Sequence, residues 1–207
     1  MSITIMDQLD LNSIITPYKT ITQYTRIQLA PHHLNSDITD HLFNVLRKKV
    51  EKKCNKYGYI MEIYKIIKYS DGIMLPENLS GYVTVNVDYQ CNYCVPIENN
   101  AIICSVRNLN SDLVIATNGP IIVFVSKNNI DTNIWEISDS IKHNKTKKDL
   151  NQNDLVKILI VKTRINEGDT QIKCIGMLSD YPSDEEVDKY YKQLSNVENK
   201  VNNNFII

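Results

Sequence analysis

The sequence has little glycine, proline or cysteine and no long apolar run. Its 207 residues include six glycines, six prolines and five cysteines. A membrane-spanning helix needs ~20 consecutive apolar residues, and no stretch approaches that length. The N-terminus has no basic segment followed by an apolar core, so it does not resemble a secretory signal. We therefore expect a soluble, intracellular protein whose thiols stay reduced.

An excess of charge of either sign is also missing. The chain carries 23 Lys and Arg against 24 Asp and Glu, a formal net charge of -1. No overall field would draw such a protein onto nucleic acid or an anionic membrane. Any contact of that kind must come from a local patch.

Cys91 and Cys94 are three residues apart and raise the question of a zinc or redox site. Apolar and polar residues alternate from Val83 to Cys91, which predicts a strand. In a continuing strand the two thiols leave opposite faces and cannot share one tetrahedral metal. A metal hairpin would need a turn at 92–93 and a second ligand pair, and a redox pair would need a helix after Cys91. We expect neither.

The N-terminal half predicts strands around one helix, after an extension of residues 1–20. A strand runs from Ile21 to Pro31. A helix follows, with Ser36 as its N-cap and a Lys-rich C-terminal end. Further strands are predicted from Tyr59 and from Val83, with a turn at 71–72 between them. The apolar face of the helix consists of Ile38, Leu42, Phe43, Leu46 and Val50.

After Pro96 the chain changes to short apolar runs divided by Asn, Asp and Gly. Five short strands, with a polar, Lys-rich interval at 131–154, predict a small Greek-key barrel of the OB type. The tail predicts an amphipathic helix capped by Ser183 or Asp184, which could fold back on its own domain or dock on another chain. Its apolar stripe is Val187, Tyr190, Leu194, Val197 and Val201.

The chain carries a set of short motifs in a definite order. A helix leads to a Lys-aromatic-Gly-Tyr-Ile strand at 56–60, and a Gly-x-Ile-x-Pro-like segment follows at 72–76. A strand ends at Pro96 before the barrel. The barrel carries a Gly-Pro strand, 119–127, and a closing Ile-Gly-Met-Leu strand, 175–178. This ordered set resembles the seventh subunit of eukaryotic RNA polymerase II and its archaeal counterpart, the E-prime subunit. The resemblance covers residues from about 21 to about 182.

This resemblance implies an α+β fold: an N-terminal antiparallel sheet plus helix (the tip domain), then a five-stranded OB-type β-barrel and a C-terminal amphipathic helix. It divides the chain into an extension (1–20), a tip domain (21–96), an OB domain (97–182) and a C-terminal helix and tail (183–207). AT-rich codon usage, inferred from abundant Asn, Ile, Lys and Tyr, points to a large DNA virus as the source. The location expected is the host cytoplasm and virion, or the nucleus for a cellular protein.

The function implied is that of a non-catalytic stalk subunit of a multisubunit RNA polymerase. Its partners would be core subunits, a fourth-subunit-like stalk protein and, weakly, nascent single-stranded RNA, with no membrane, cofactor, metal or catalytic residue. The residues implied for docking on the polymerase core are Leu29, Pro31, Leu34, Gly72, Ile73, Met74, Leu75 and Pro76. Those implied for RNA binding are Phe124, Lys127, Lys157, Lys162, Arg164 and Lys173.

Several alternatives stay open at this point. "PIENNA" after Cys94-Val95 is acidic where the family has a Gly with basic character, and Val114 and Ile115 replace aromatics that could stack on bases. These departures count against RNA contact. A free-standing OB-type single-strand binder is the rival function, and the missing aromatics are its weakness as well. Phe124 could belong to the barrel core, and Trp135 could anchor a loop or contact a partner. An enzyme is disfavoured, since no nucleophile elbow or phosphate loop is present.

Overall fold

A computed structural model describes residues 14–74, 80–110, 112–137 and 140–192. They form two compact units. The tip unit contains residues 18–95, with the turn residues 165–170 grouped beside them. The barrel unit contains residues 14–17, 96–164 and 171–192.

The tip unit is a four-stranded antiparallel sheet with one helix on one face. The strands are β1 (Tyr18–Leu29), β2 (Lys53–Asn55), β3 (Gly58–Tyr69) and β4 (Val83–Cys94), in the order β1-β4-β3-β2. The predicted strands are present, and the short β2 is additional. Alternate residues of β4 from Val83 to Tyr93 are buried, because they face the helix. The opposite face of β4 carries polar side chains: Thr84, Asn86, Asp88 and Gln90.

The helix α1 spans Ile38–Val50. Leu42 and Leu46 are its fully buried residues, and they pack into the core formed by the sheet. The predicted N-cap is wrong by one position: Asp37 occupies it, while the hydroxyl of Ser36 donates to the Asp37 carboxylate at 3.1 Å. The Asp37 N–H donates instead to the Asn35 side chain, so a local turn precedes the helix.

Cys91 and Cys94 lie in the uninterrupted strand β4, as the alternation predicted. Cys91 pairs with Ile21 and Ile63, whereas Cys94 pairs with Tyr18 and Tyr59. The two positions have opposite parity along the strand, so their side chains leave opposite faces of the sheet. Both thiols are buried. Burial raises the pKa of Cys91 to about 11, which is the opposite of an activated thiol.

The barrel unit contains a closed five-stranded barrel, in agreement with the predicted fold. Its strands are β5 (Ala101–Leu109), β6 (Leu113–Asn118), β7 (Ile121–Ser126), β10 (Leu155–Arg164) and β11 (Ile172–Leu178). They close in the order β10-β11-β7-β6-β5. Among these five described strands, β11 and β7 are the one parallel pair. The interior is filled by alternate residues of these strands, including Val123, Ile158 and Cys174.

The polar interval between β7 and β10 forms a small two-stranded sheet, β8 (Trp135–Ile137) and β9 (Ile141–His143). Trp135 is fully buried, and its Nε1–H donates to the Ser179 carbonyl at 2.6 Å. Its ring lies 5.2 Å from the rings of both His143 and Tyr181. Of the two alternatives for Trp135, the loop anchor is the one observed.

A second helix, α2, begins at residue 184 and is described to residue 192. Ser183 precedes it, and the Ser183 N–H donates to the Glu186 carboxylate at 2.7 Å, half of a capping box. Val187 and Tyr190 are half-buried, so this part of the predicted stripe faces its own unit. Leu194, Val197 and Val201 lie outside the described residues.

Across the described residues, no helix is both long enough and apolar enough to cross a membrane.

Candidate functional site

The first candidate surface is the end of the tip sheet where β1 stops and β4 starts. Leu29 pairs with Val83 there, and the segment before β4 adds a bridge between Ile73 and Thr84, with backbone hydrogen bonds of 2.9 Å in both directions. A one-turn helix, Pro31–His33, follows β1. The turn after β1 and the segment leading into β4 therefore lie at the same end of the sheet.

Gly81 brings these two segments into contact. Its φ of +71° favours glycine, and a Cβ added there would lie 3.2 Å from the Pro31 ring. The chain next to this contact exposes a group of apolar side chains. The exposed fractions are 56% for Ile73, 54% for Met74, 42% for Leu34 and 41% for Tyr82. We call Pro31, Leu34, Ile73, Met74 and Tyr82 the end surface.

The predicted docking residues are only partly on this surface. Pro31, Leu34, Gly72, Ile73 and Met74 are exposed at the sheet end. Leu29 is fully buried and supports the surface from the core. Leu75 and Pro76 lie outside the described residues. Sequence reasoning missed Tyr82. Its position directly before the alternating strand, on the parity opposite to the buried Val83, could have indicated an exposed side chain.

Three histidine rings lie next to the end surface. The rings of His32 and His33 are 4.1 Å apart, and those of His33 and His41 are stacked at 4.8 Å. Burial lowers the pKa of His33 below its ordinary value, and His32, His41 and Lys48 add to the effect. The His33 Nδ1 atom is buried without a hydrogen-bond partner among the described residues. The proximity of His41 to His33 depends on the fold, so local sequence does not indicate this cluster.

The second candidate surface is the outer face of the barrel. Pairing places Phe124 on β7 beside Ile115 on β6 and beside Ile175 on β11, which in turn faces Lys162 on β10. The adjacent row contains Ile122, Lys173 and Arg164 in the same order. Phe124 alternates with buried Val123 and Val125, so it lies outside the barrel, half-buried, and the core alternative is wrong.

The structure thus brings together four of the six predicted RNA-binding residues: Phe124, Lys162, Arg164 and Lys173. Arg107 joins them, since its guanidinium donates to Thr117 at 3.2 Å and Thr117 pairs with Ile122. Lys127 lies past the end of β7, outside these rows.

Lys157 is engaged elsewhere in the barrel unit. Its ammonium lies 2.9 Å from the Glu186 carboxylate of α2, and only 18% of its side chain is exposed.

The lysines of the 131–154 interval are mostly engaged as well. Lys142 pairs with Asp149 at 3.8 Å, Lys147 with Glu136 at 3.7 Å, and Lys148 with Asp154 at 3.2 Å. These exposed pairs stabilise little, but they cancel most of the local charge. The interval is therefore a weaker candidate for RNA than the outer barrel face.

Two glycines of the family motifs have a clear packing reason. A Cβ on Gly58 would lie 2.6 Å from Val95 Cγ2 and 2.8 Å from the Cys94 carbonyl oxygen. A Cβ on Gly176 would lie 2.4 Å from Ile158 Cγ2 and 2.7 Å from Val123 Cγ1. Each glycine therefore marks a place where strand packing leaves no room for a side chain.

No group of three or more His, Cys, Asp or Glu side chains with metal-binding geometry occurs in the described ranges. The five thiols are all buried. Burial raises the pKa of Cys54 and Cys174 to about 11 as well. These thiols behave as small core residues.

The comparisons with known proteins agree with the fold. Residues 25–78 match the model of the SHS2 domain found in the N terminus of Rpb7p/Rpc25p/MJ0397. Protein L376 of Acanthamoeba polyphaga mimivirus, named as a DNA-directed RNA polymerase subunit, is 30% identical over 166 residues, 80% of this chain and 83% of that protein. RNA polymerase II subunit RPB7 of Glycine max and subunit 7 of Arabidopsis thaliana are each 28% identical over 159 residues, 74% of this chain and 88% of theirs.

The mimivirus relative supports the viral origin expected from the composition. The family model covers the 56–60 motif and the 72–76 segment, two of the motifs that carried the resemblance. With a relative at 30% identity covered over four fifths of its length, the chain belongs to the family of the seventh subunit of RNA polymerase II.

Proposed function

We propose that this protein is a non-catalytic stalk subunit of a multisubunit DNA-dependent RNA polymerase. Its end surface docks on the polymerase core near the clamp, and its outer barrel face contacts nascent RNA. The named relatives are polymerase subunits, which supports the first half of this proposal. The observation that carries it is the exposed apolar end surface.

The end surface has the features of a docking site. Ile73 and Met74 are each more than half exposed, on a segment held to β4 by two backbone hydrogen bonds. Apolar side chains presented on a fixed backbone lose little conformational entropy on binding, so they suit anchor roles. The core between the sheet and α1 is already filled, so the apolar side chains of the end surface stay exposed to solvent.

The outer barrel face has the features of a weak RNA site. Phe124 offers one aromatic ring among aliphatic neighbours, and Lys162, Arg164 and Lys173 form no ion pair within the described residues. Glu98 accepts a hydrogen bond from the Thr163 N–H at 2.9 Å, so the face is not purely basic. Binding there should be sequence-tolerant and salt-dependent.

Co-purification from cells that express the tagged protein tests the docking. Ile73→Asp combined with Met74→Asp should abolish recovery of the two largest polymerase subunits, because each introduces a charge into an apolar contact. Ile67→Asp is the matched control, since Ile67 is 49% exposed on β3 and lies away from the end surface. Circular dichroism of each variant checks that it folds.

Unchanged recovery with the double variant would contradict docking through the end surface. Recovery of the wild-type protein without polymerase subunits, alone or with RNA, would replace the proposal by the free-standing single-strand binder.

A further inference from the structure

The C-terminal end of α1 and the turn after it contain a concentration of positive charge that the proposed function does not use. Residues 47–56, RKKVEKKCNK, contain six cations and one acid in a chain with a net charge of -1. Glu51 is held by Arg47 through two contacts, of 2.7 and 3.2 Å. The lysines Lys48, Lys49, Lys52, Lys53 and Lys56 have no carboxylate partner within 4.0 Å among the described residues.

Three of these lysines surround a groove of ≈ 510 Å³ in the tip unit. Lys49, Lys53 and Lys56 line it together with the exposed ring of Tyr57, and we call these four residues and their groove the basic groove. Gln23, Thr25 and Asn55 add polar groups to the lining, and Glu167 adds one carboxylate.

The lysines are positioned by the backbone. Lys49 Nζ donates to the Arg26 carbonyl at 2.5 Å, and Lys53 Nζ donates to the carbonyls of Lys48 and Lys49 at 3.0 and 3.3 Å. An ammonium has three donors, so each keeps hydrogen-bonding capacity for an anion. Neutral carbonyl partners leave the positive charge uncancelled.

Tyr57 forms a platform beside this charge. It is 67% exposed, and Lys56 Nζ lies 5.5 Å from the ring centroid. Its backbone is fixed by Asn55, whose side-chain oxygen accepts hydrogen bonds from the N–H groups of Tyr57 and Gly58 at 2.9 and 3.0 Å, and from the Tyr93 hydroxyl at 2.5 Å. A rigid turn therefore presents an open aromatic face between cations.

We infer that the basic groove is a second binding site for single-stranded nucleic acid, on the tip unit and independent of the outer barrel face. Cations that follow a backbone together with an exposed aromatic ring are what an unpaired strand requires, for its phosphates and for one stacked base. An acidic peptide would need apolar pockets for anchors. The floor residues Ile60 and Tyr89 are each only 2% exposed and offer no pocket, and the exposed apolar groups of the lining are two rings, Tyr57 at 67% and Tyr24 at 59%.

The test is filter binding of a 5′-labelled 20-nucleotide poly(U) RNA to the purified full chain. Replacing Lys49, Lys53 and Lys56 by Gln should weaken binding about tenfold at 50 mM salt and reduce the log-log salt slope by about 2, since each phosphate contact to a single strand contributes about 0.7. Gln retains a donor for the backbone carbonyls. The matched control replaces Lys19, Lys65 and Lys68, three other lysines of the tip unit, and should change binding less than about twofold.

The aromatic part has its own test. Tyr57→Ala should weaken binding roughly tenfold, whereas Tyr57→Phe should bind like the wild type, because stacking needs the ring and not the hydroxyl. Equal binding by the groove triple variant and the control triple variant would overturn the inference. Unchanged binding by Tyr57→Ala would also overturn it, because no base would then stack on the ring. Displacement of the RNA by polyglutamate at equal charge would overturn it as well, because that outcome indicates a general surface for acidic proteins.

A separate variant keeps this inference apart from the proposed function. Lys162→Gln, Arg164→Gln and Lys173→Gln together remove charge from the outer barrel face only. If that variant loses all RNA binding while the groove variant binds like the wild type, the result would support the barrel face and overturn the groove. Loss in the groove variant supports the groove, whatever the barrel variant and polymerase co-purification show.

Discussion

The tip unit and the barrel unit arrange their strands in different ways: the tip sheet is open and the barrel is closed. The barrel closes its five strands on one another, and its buried residues fill the interior. The tip sheet stays open, with α1 on one face and polar side chains such as Asn86 and Asp88 on the other. Because the barrel is closed, a partner can contact its strands only on their outer face. The open sheet leaves ends, an edge strand and a partly covered helix face, and both the end surface and the basic groove come from these.

The difference suggests that the barrel is the more rigid scaffold and that the tip is the more adaptable contact region. Trp135 makes this comparison measurable, because it is the single tryptophan of the chain and lies in the barrel unit. Its fluorescence reports the barrel, while hydrogen exchange of β4 amides reports the tip.

Removing Trp135 should be the most damaging single change in the barrel unit. Trp135→Ala deletes a fully buried ring and its hydrogen bond to Ser179, and should cost about 3–5 kcal/mol of unfolding free energy. Denaturant titration followed by circular dichroism measures it. Trp135→Phe, which keeps most of the packing and loses the Nε1–H donor, should cost about 1–3 kcal/mol. Equal loss of protection in β4 would show that the two units unfold together and break the comparison.

The two motif glycines allow a matched test of packing in each unit. Gly176→Ala places a methyl group 2.4 Å from Ile158 in the barrel, and Gly58→Ala places one 2.8 Å from the Cys94 carbonyl in the tip. Each should cost about 1–3 kcal/mol, because neighbouring atoms must move. Trp135 fluorescence should shift its midpoint for Gly176→Ala only, and β4 exchange should change for Gly58→Ala only.

Gly168→Ala is the control for this pair. Nothing lies within 4 Å of its added Cβ, so the cost there comes from the φ of +86° alone, about 1 kcal/mol. A smaller loss for either motif glycine than for Gly168 would mean that the packing reason given for the motif is wrong.

Periodicity was sufficient to predict the barrel strands, α1 and the alternation of β4, since each depends on short-range spacing of apolar residues. It missed β2, which has only three residues, and the N-cap, where Asn35 and Ser36 compete locally with Asp37. The sequence left Phe124 open between the barrel core and the outer face, and its neighbours on that face depend on the parallel β11–β7 pairing, which local sequence does not specify. Lys49 and Lys53 were noted only as charges at the C-terminal end of the helix, and Lys56 and Tyr57 only as part of the 56–60 motif, because the groove that joins them with β1 depends on the fold.

The link between α2 and the barrel should respond to acid. Burial alone would raise the pKa of Glu186, but the Ser183 N–H and the Lys157 ammonium together hold it below its ordinary value of 4.5. The stabilisation is therefore present above pH 4.5 and is lost as the pH falls through the lower folded-state pKa. Glu186→Gln should cost about 1 kcal/mol at pH 7 and little at pH 3. Denaturant titration by Trp135 fluorescence measures it, and Glu185→Gln, on the exposed neighbour, is the control. An equal cost at both pH values would contradict the ionic role.

The tip unit should lose stability at a higher pH than the Glu186 contact does. This loss is the smallest effect predicted here. The pKa of His33 is lowered from 6.5 by burial and by the charges of His32, His41 and Lys48, so the unfolded chain binds a proton more readily than the folded one. Stability is thus complete above pH 6.5 and decreases as the pH falls from 6.5 toward the folded-state pKa. Exchange of α1 amides between pH 7.5 and 5.5 should show a loss of protection, after correction for intrinsic rates, that His33→Gln reduces. Trp135 fluorescence, read on the same samples, should give an unchanged midpoint. If His33→Gln changed the denaturation midpoint of the barrel unit, the histidine cluster would affect both units. The two units would then not differ in their response to pH.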